Sequence, residues 1–300
     1  MIENFDEVFS TIKEKGPKKI AVACADDVDI LKAVDNAKRQ GIAEAVLVGN
    51  EDSIKEKALT AGVDLEGYEI INIKDMTEAS MKAVELVSSG EAHMLMKGLV
   101  DTSIFLKSVL NKEVGLRTGN VLSRVALFEI PRYHKLLVVT DAAMNIAPDL
   151  DAKKMIIENT LMVTKSLGIE KAKVAVLCAK EKVNPKMSAT IEADKLQKMS
   201  EAGEIEGCDV AGPLALDNAV SKEAAELKGI TNLVAGDADV LMTPDIEAGN
   251  ILYKSLGFLA KTKGAGIIVG TTAPVILTSR ADDDETKLNS IALGALMAVE

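Results

Sequence analysis

The chain has 300 residues, 48% of them hydrophobic, which is enough for one large core or two ordinary ones, and 46 acids against 35 bases leave a formal net charge of −11. That acidity excludes general nucleic-acid binding, which needs basic surface to displace counterions, though a few local cations suffice for a small anion. Cys24, Cys178 and Cys208 form no disulfide framework or CxxC pair, and no apolar run is long enough to span a bilayer, so a cytoplasmic chain without membrane contact or structural metal is expected.

Hydrophobic spacing predicts helix over 4–15, strand over 20–24, helix over 27–40, strand over 45–48, helix over 51–61, strand over 68–73, helix over 77–88, strand over 92–96 and helix from 101 or 102 to 110. Strict alternation of this kind predicts parallel strands with helical crossovers. The rhythm breaks at 121–130 and 136–140, two apolar runs separated by five residues, a connection that favours an antiparallel hairpin. Alternation resumes with helix 149–167, strand 173–178, helix 189–200, strand 209–215, helix 219–228, strand 239–242 and helix 248–262. Two short apolar runs follow, 267–269 and 275–277, and a last helix over 283–299. The expected class is α/β in two lobes. The first holds 1–141 with a returning 274–300, and the second holds 142–273.

Ligands of open α/β sheets bind outside the carboxyl ends of the strands, which selects four loops. The first is Thr278-Ser279-Arg280-Ala281-Asp282-Asp283-Asp284, where Ser279 and Arg280 suggest an anion site; equally, the acids cap the last helix and pair with Arg280. The second begins at Lys97 and Gly98 and reaches Thr102; it reads as an anion cradle at a helix start or as an ordinary capped turn. The third carries Asp141 and Asn145, residues that also favour plain turns. The fourth carries Asp245, Glu247 and Asn250, as a helix cap or as ligand contacts.

There is no GxxxxGK[ST] loop, no GxGxxG opening the first crossover helix and no GxSxG elbow, which argues against P-loop, dinucleotide and hydrolase chemistry. Cys24 and Cys178 read as buried fillers. His93 and His134 show no acid partner in sequence, so neither is expected to be catalytic.

The segments MKGLVDTSIFLKSVLN (96–111), VVTDAAMNIAPDL (138–150), AGPLALDNAVS (211–221), ADVLMTPDIEAGNILYKSL (238–256) and PVILTSRADDDETKLNSI (274–291) resemble, in this order, the phosphate acetyl/butyryltransferase family, nearest its butyryl branch. The resemblance implies reversible transfer of a short acyl group between coenzyme A and inorganic phosphate, with acyl-CoA, phosphate and acyl phosphate as substrates and no tightly bound cofactor or metal. It implies two lobes with mainly parallel sheets, similar to isocitrate/isopropylmalate dehydrogenases, an active-site cleft between them, and a homodimer or larger homo-oligomer. On this reading Arg280 binds phosphate, Ser279 hydrogen-bonds phosphate or the acyl oxygen, and amides near Gly98 or Thr271 meet the oxyanion. The acetyl branch has an aspartate six residues after the arginine and a glycine directly after it. Here those positions are Thr286 and Ala281, so the base is either an acid of 282–284, with Asp283 favoured, or none, with Arg280 lowering the thiol pKa. The competing classes are a metal- and NAD(P)-dependent decarboxylating dehydrogenase and a non-catalytic sensor of acyl phosphates or coenzyme A.

Overall fold

A computed structural model of the chain describes residues 1–278 and 282–298. In chain order its elements are α1 (Phe5–Lys15), β1 (Lys18–Ala23), α2 (Val28–Arg39), β2 (Ala43–Gly49), α3 (Glu51–Ala61), β3 (Glu69–Asn72), α4 (Met76–Ser88), β4 (Met94–Lys97), α5 (Thr102–Val109), β5 (Ser123–Glu129) and β6 (Leu137–Thr140). There follow α6 (Leu150–Ser166), β7 (Ala172–Leu177), α7 (Ser188–Glu201), β8 (Cys208–Leu214), α8 (Leu216–Val220), α9 (Lys222–Leu227), β9 (Val240–Met242), α10 (Ile246–Lys254), a π-helical turn (Ser255–Leu259), β10 (Lys263–Val269), β11 (Val275–Ile276) and α11 (Asp284–Met297).

The helix starts have a local cause. Side-chain oxygens of Asp27, Asn50, Asp75, Asp149, Ser221, Asp245 and Asp283 accept first-turn amides of α2, α3, α4, α6, α9, α10 and α11. Two predicted helices differ from expectation. The helix expected over 219–228 is α8 and α9, parted at Ser221, which adopts extended backbone and turns its hydroxyl oxygen to the Ala224 amide. The helix expected over 248–262 begins earlier, at its Asp245 cap, and loosens into the π turn before ending at Leu259.

The chain divides into two compact units, one of Phe5–Asn120 with the chain from Ala265 onward, the other of Met1–Asn4 with Val121–Gly264. In the first, the strand order is β3-β2-β1-β4-β11-β10. The strands from β3 to β11 run parallel, and β10 is antiparallel to β11. The last helix, α11, packs against α1 and α2, and all residues from Lys287 to Leu296 are buried. In the second, the order is β5-β6-β9-β7-β8. The expected hairpin is β5 against β6, and β6, β9, β7 and β8 are parallel. Both units are thus α/β with mainly parallel sheets, as the alternation predicted.

Candidate active site

In the first unit β1, β4 and β11 end side by side. Gly98 follows β4 and lies directly against the end of β1: a Cβ built on it would stand 2.2 Å from the Cys24 carbonyl oxygen and 2.6 Å from that of Ala23. Only glycine fits there without moving backbone. Its amide donates to the Ala23 carbonyl, and the Leu99 amide to that of Cys24, both at 2.8 Å. These two amides are committed to the strand ends, so Gly98 itself serves close backbone approach, and an oxyanion donor near it would have to be another amide. A cavity of about 40 Å³, room for a water or two, is lined by Asp27, Asp29, Ile30, Lys97, Gly98, Leu99 and Thr278. The structure therefore brings the Lys97–Gly98 loop to Thr278, the residue before Ser279. Ser279 and Arg280 themselves lie outside the described residues.

Asp283 caps α11, accepting the Thr286 amide at 2.8 Å. Hydrogen bonds from the Thr286 hydroxyl and amide, helped by the Lys287 charge, hold its carboxyl below the usual range against the effect of burial. A carboxylate stabilised in this way is a weaker proton acceptor than a free one. Thr102 is exposed at the start of α5, and Asp101, at the N-cap, makes no side-chain cap bond. Thr271 is the other residue expected near the oxyanion. It lies in the turn from β10 to β11, at the amino end of β11, and its buried hydroxyl donates to the Ala273 carbonyl at 2.8 Å. Thr278 follows the carboxyl end of the same strand, so the two residues flank opposite ends of it.

In the second unit β6 and β9 are parallel neighbours, and the loops after them interlock. The Thr243 hydroxyl donates to the carbonyls of Thr140 and Asp141, at 3.3 and 3.2 Å, and the Asn250 amide to that of Ala142 at 3.3 Å. Gly249 lets α10 approach this closely, because a Cβ there would stand 2.5 Å from the Asp141 carbonyl oxygen. Buried Asp141 accepts the backbone amides of Arg124, Ala143, Met144 and Asn145 at 3.0–3.2 Å and the Asn145 side-chain amide at 2.5 Å. Asn145 also donates to the Leu122 carbonyl at 2.8 Å. Asp245 caps α10 through the Ala248 amide. Asp141, Asn145 and Asp245 thus build the rim, while Glu247 and Asn250 are exposed on it.

Sequence reasoning missed two features of this unit. One is an apolar cavity of about 520 Å³ lined by Leu177, Cys178, Thr243, Pro244, Leu252 and Ser255 among others, a size suited to a small organic ligand. The other is Arg124, a base inside the apolar run 121–130 that is buried beneath Tyr253. Its only signal in sequence is a lone charge in a strand pattern.

The thiols of Cys178 and Cys208 are both pushed up to about 11 by burial, and that of Cys24 is also raised, so all three stay protonated near neutrality. His134 has an acid partner after all, Asp237, 103 positions away in sequence and 2.8 Å distant. Burial would raise the Asp237 pKa, but hydrogen bonds from Lys173, Lys135 and His134 outweigh it and hold the group well below the usual range. This cluster stands before β9, at the amino end of the sheet, away from the carboxyl-end loops. His93 accepts the Lys19 amide at 2.9 Å. Among the described residues, no cluster of three or more His, Cys, Asp or Glu is placed to hold a metal, and no helix is long and apolar enough to cross a membrane.

A family model described as phosphate acetyl/butaryl transferase matches residues 4–79 and 74–295. The phosphate butyryltransferase of Clostridium acetobutylicum is 53% identical over 298 residues, with 99% of each chain covered. The phosphate acetyltransferase of Thermotoga maritima is 48% identical over 281 residues, covering 94% of this chain and 95% of its own. Among solved structures, a branched-chain phosphotransacylase from Enterococcus faecalis V583 superposes with a TM-score of 0.84 at 34% identity, covering 94% of this chain and 99% of that one. A 4-hydroxythreonine-4-phosphate dehydrogenase from Klebsiella pneumoniae, at 14% identity and a TM-score of 0.56 over 94% of this chain and 100% of that one, shares the fold alone.

Proposed function

The chain belongs to the phosphate acetyl/butaryl transferase family, and from that premise we propose that it catalyses butanoyl-CoA + phosphate = butanoyl phosphate + CoA, reversibly, through a ternary complex. The observation that carries this reading is the near-full-length similarity to a phosphate butyryltransferase. A second reading, transfer of acetyl, is favoured by the acetyltransferase relative at slightly lower identity. The family sets aside the dehydrogenase and sensor readings.

In a ternary complex phosphate attacks the thioester carbonyl directly, and holding the two together replaces a bimolecular encounter. Arg280 and Ser279 bind phosphate and the acyl oxygen, and Arg280 offsets charge that develops on the leaving thiolate. The Lys97–Gly98 loop, which reaches Thr278, sets the base of that loop. Asp283 anchors the other end of it as the α11 cap; its lowered pKa suits an anchor better than a general base. The protonated cysteines support direct transfer over an acyl-cysteine intermediate. The enzyme works in the cytoplasm as a homodimer or larger homo-oligomer, with no tightly bound cofactor. The test is Arg280→Ala: phosphate-dependent coenzyme A release is expected to fall about 100-fold or more in kcat/KM, with the melting temperature unchanged. Unchanged turnover in a folded variant would contradict the assignment.

A further inference from the structure

Arg124 is 7% exposed and, among the described residues, no carboxylate lies within ion-pair distance of its guanidinium. Its Nε has no hydrogen-bond partner. Nη2 donates to the Tyr253 hydroxyl at 3.3 Å, and the guanidinium lies 5.2 Å from that ring's centroid. Arginine cannot shed its proton to relieve this burial. A buried cation left without a counter-ion is costly, and an unsatisfied buried polar atom marks a place where a partner is missing.

The acid opposite it is occupied. The β5–β6 register sets Ala126 opposite Val139, which carries Arg124 to Asp141. The Asp141 carboxylate binds the Arg124 backbone amide and those of the turn after it, and forms no ion pair with the side chain. The backbone that carries the guanidinium is also fixed, because the Thr140 hydroxyl donates to the Arg124 carbonyl at 3.3 Å. Antiparallel pairing puts this start of β5 at the carboxyl ends of β6 and β9, where ligands of such sheets bind. On the same strand face Phe128 and Tyr253 pack 5.7 Å apart, so the cation stands at the edge of an apolar wall.

We propose that Arg124 is the receptor for a phosphate-class anion in the second unit: Nε and a terminal nitrogen form the donor edge that such an anion takes in two parallel hydrogen bonds. The inference rests on the acyl-transfer reading for the anion's source, which is either inorganic phosphate or a phosphate of coenzyme A.

The test reads binding, apart from turnover. Inorganic phosphate, coenzyme A and dephospho-coenzyme A are titrated calorimetrically into wild type, Arg124→Met and Arg124→Lys. Arg124→Met is expected to weaken one of these anions about tenfold to a hundredfold, with partial recovery in Arg124→Lys. Its melting temperature without ligand is expected to stay level or rise, because an apolar side chain replaces an uncompensated charge. A loss for inorganic phosphate assigns the site to that substrate. A lost preference for coenzyme A over dephospho-coenzyme A assigns it to the nucleotide's 3′-phosphate. A lower melting temperature with all affinities unchanged, or no binding of these anions by wild type, overturns the proposal. Binding that depends on Arg124 in a wild type without acyl transfer would sink the functional reading and keep this one.

Discussion

At Asp283 the structure shows one of the two roles that the sequence left open, the helix cap. The carboxylate caps α11 and has a lowered pKa. A group whose pKa is lower folded than unfolded stabilises above its unfolded pKa, and that contribution is lost as pH falls through the folded one. Asp283→Ala is therefore expected to cost about 1 kcal/mol in denaturant unfolding at pH 7, with the difference shrinking as pH drops below the ordinary carboxylate range. An equal difference at acid pH would mean that the carboxylate charge is not what stabilises. Arg124 was not legible as a site residue for a related reason. Sequence shows a base in an apolar strand, but whether an acid meets it depends on where the Asp141 carboxylate points, and that is fixed by a turn of amides the pattern does not reveal.

At the scale of elements, the alternating strands and helices were readable because the buried runs are short and most helix starts carry their own side-chain cap. The direction of β11 was not. A two-residue strand has no periodicity, and its antiparallel pairing with β10 sends Thr271 to one end of it and Thr278 to the other. The break at Ser221 was likewise hidden, since apolar spacing runs through it. The loop after β6 is where one residue holds most of an element together. Asp141→Ala removes the acceptor from four backbone amides and the Asn145 side chain, and is expected to cost about 3 kcal/mol or more in denaturant unfolding. A loss under 1 kcal/mol, the value of an ordinary surface change, would contradict that placement.

At the scale of the whole molecule, acidity argued against general nucleic-acid binding but could not select a substrate, and the order of five segments pointed to a family where composition could not. The acyl chain remains the finer question, because relatives that act on butyryl and acetyl groups stand at 53% and 48% identity. The most direct measurement is release of free coenzyme A, followed with a thiol reagent, from acetyl-, propionyl-, butanoyl- and isobutanoyl-CoA with and without phosphate. Release that requires phosphate and is fastest with a four-carbon acyl group is the predicted result. Fastest release from acetyl-CoA would keep the reaction and overturn the butyryl assignment, and no phosphate-dependent release from any of the four would contradict the proposed function.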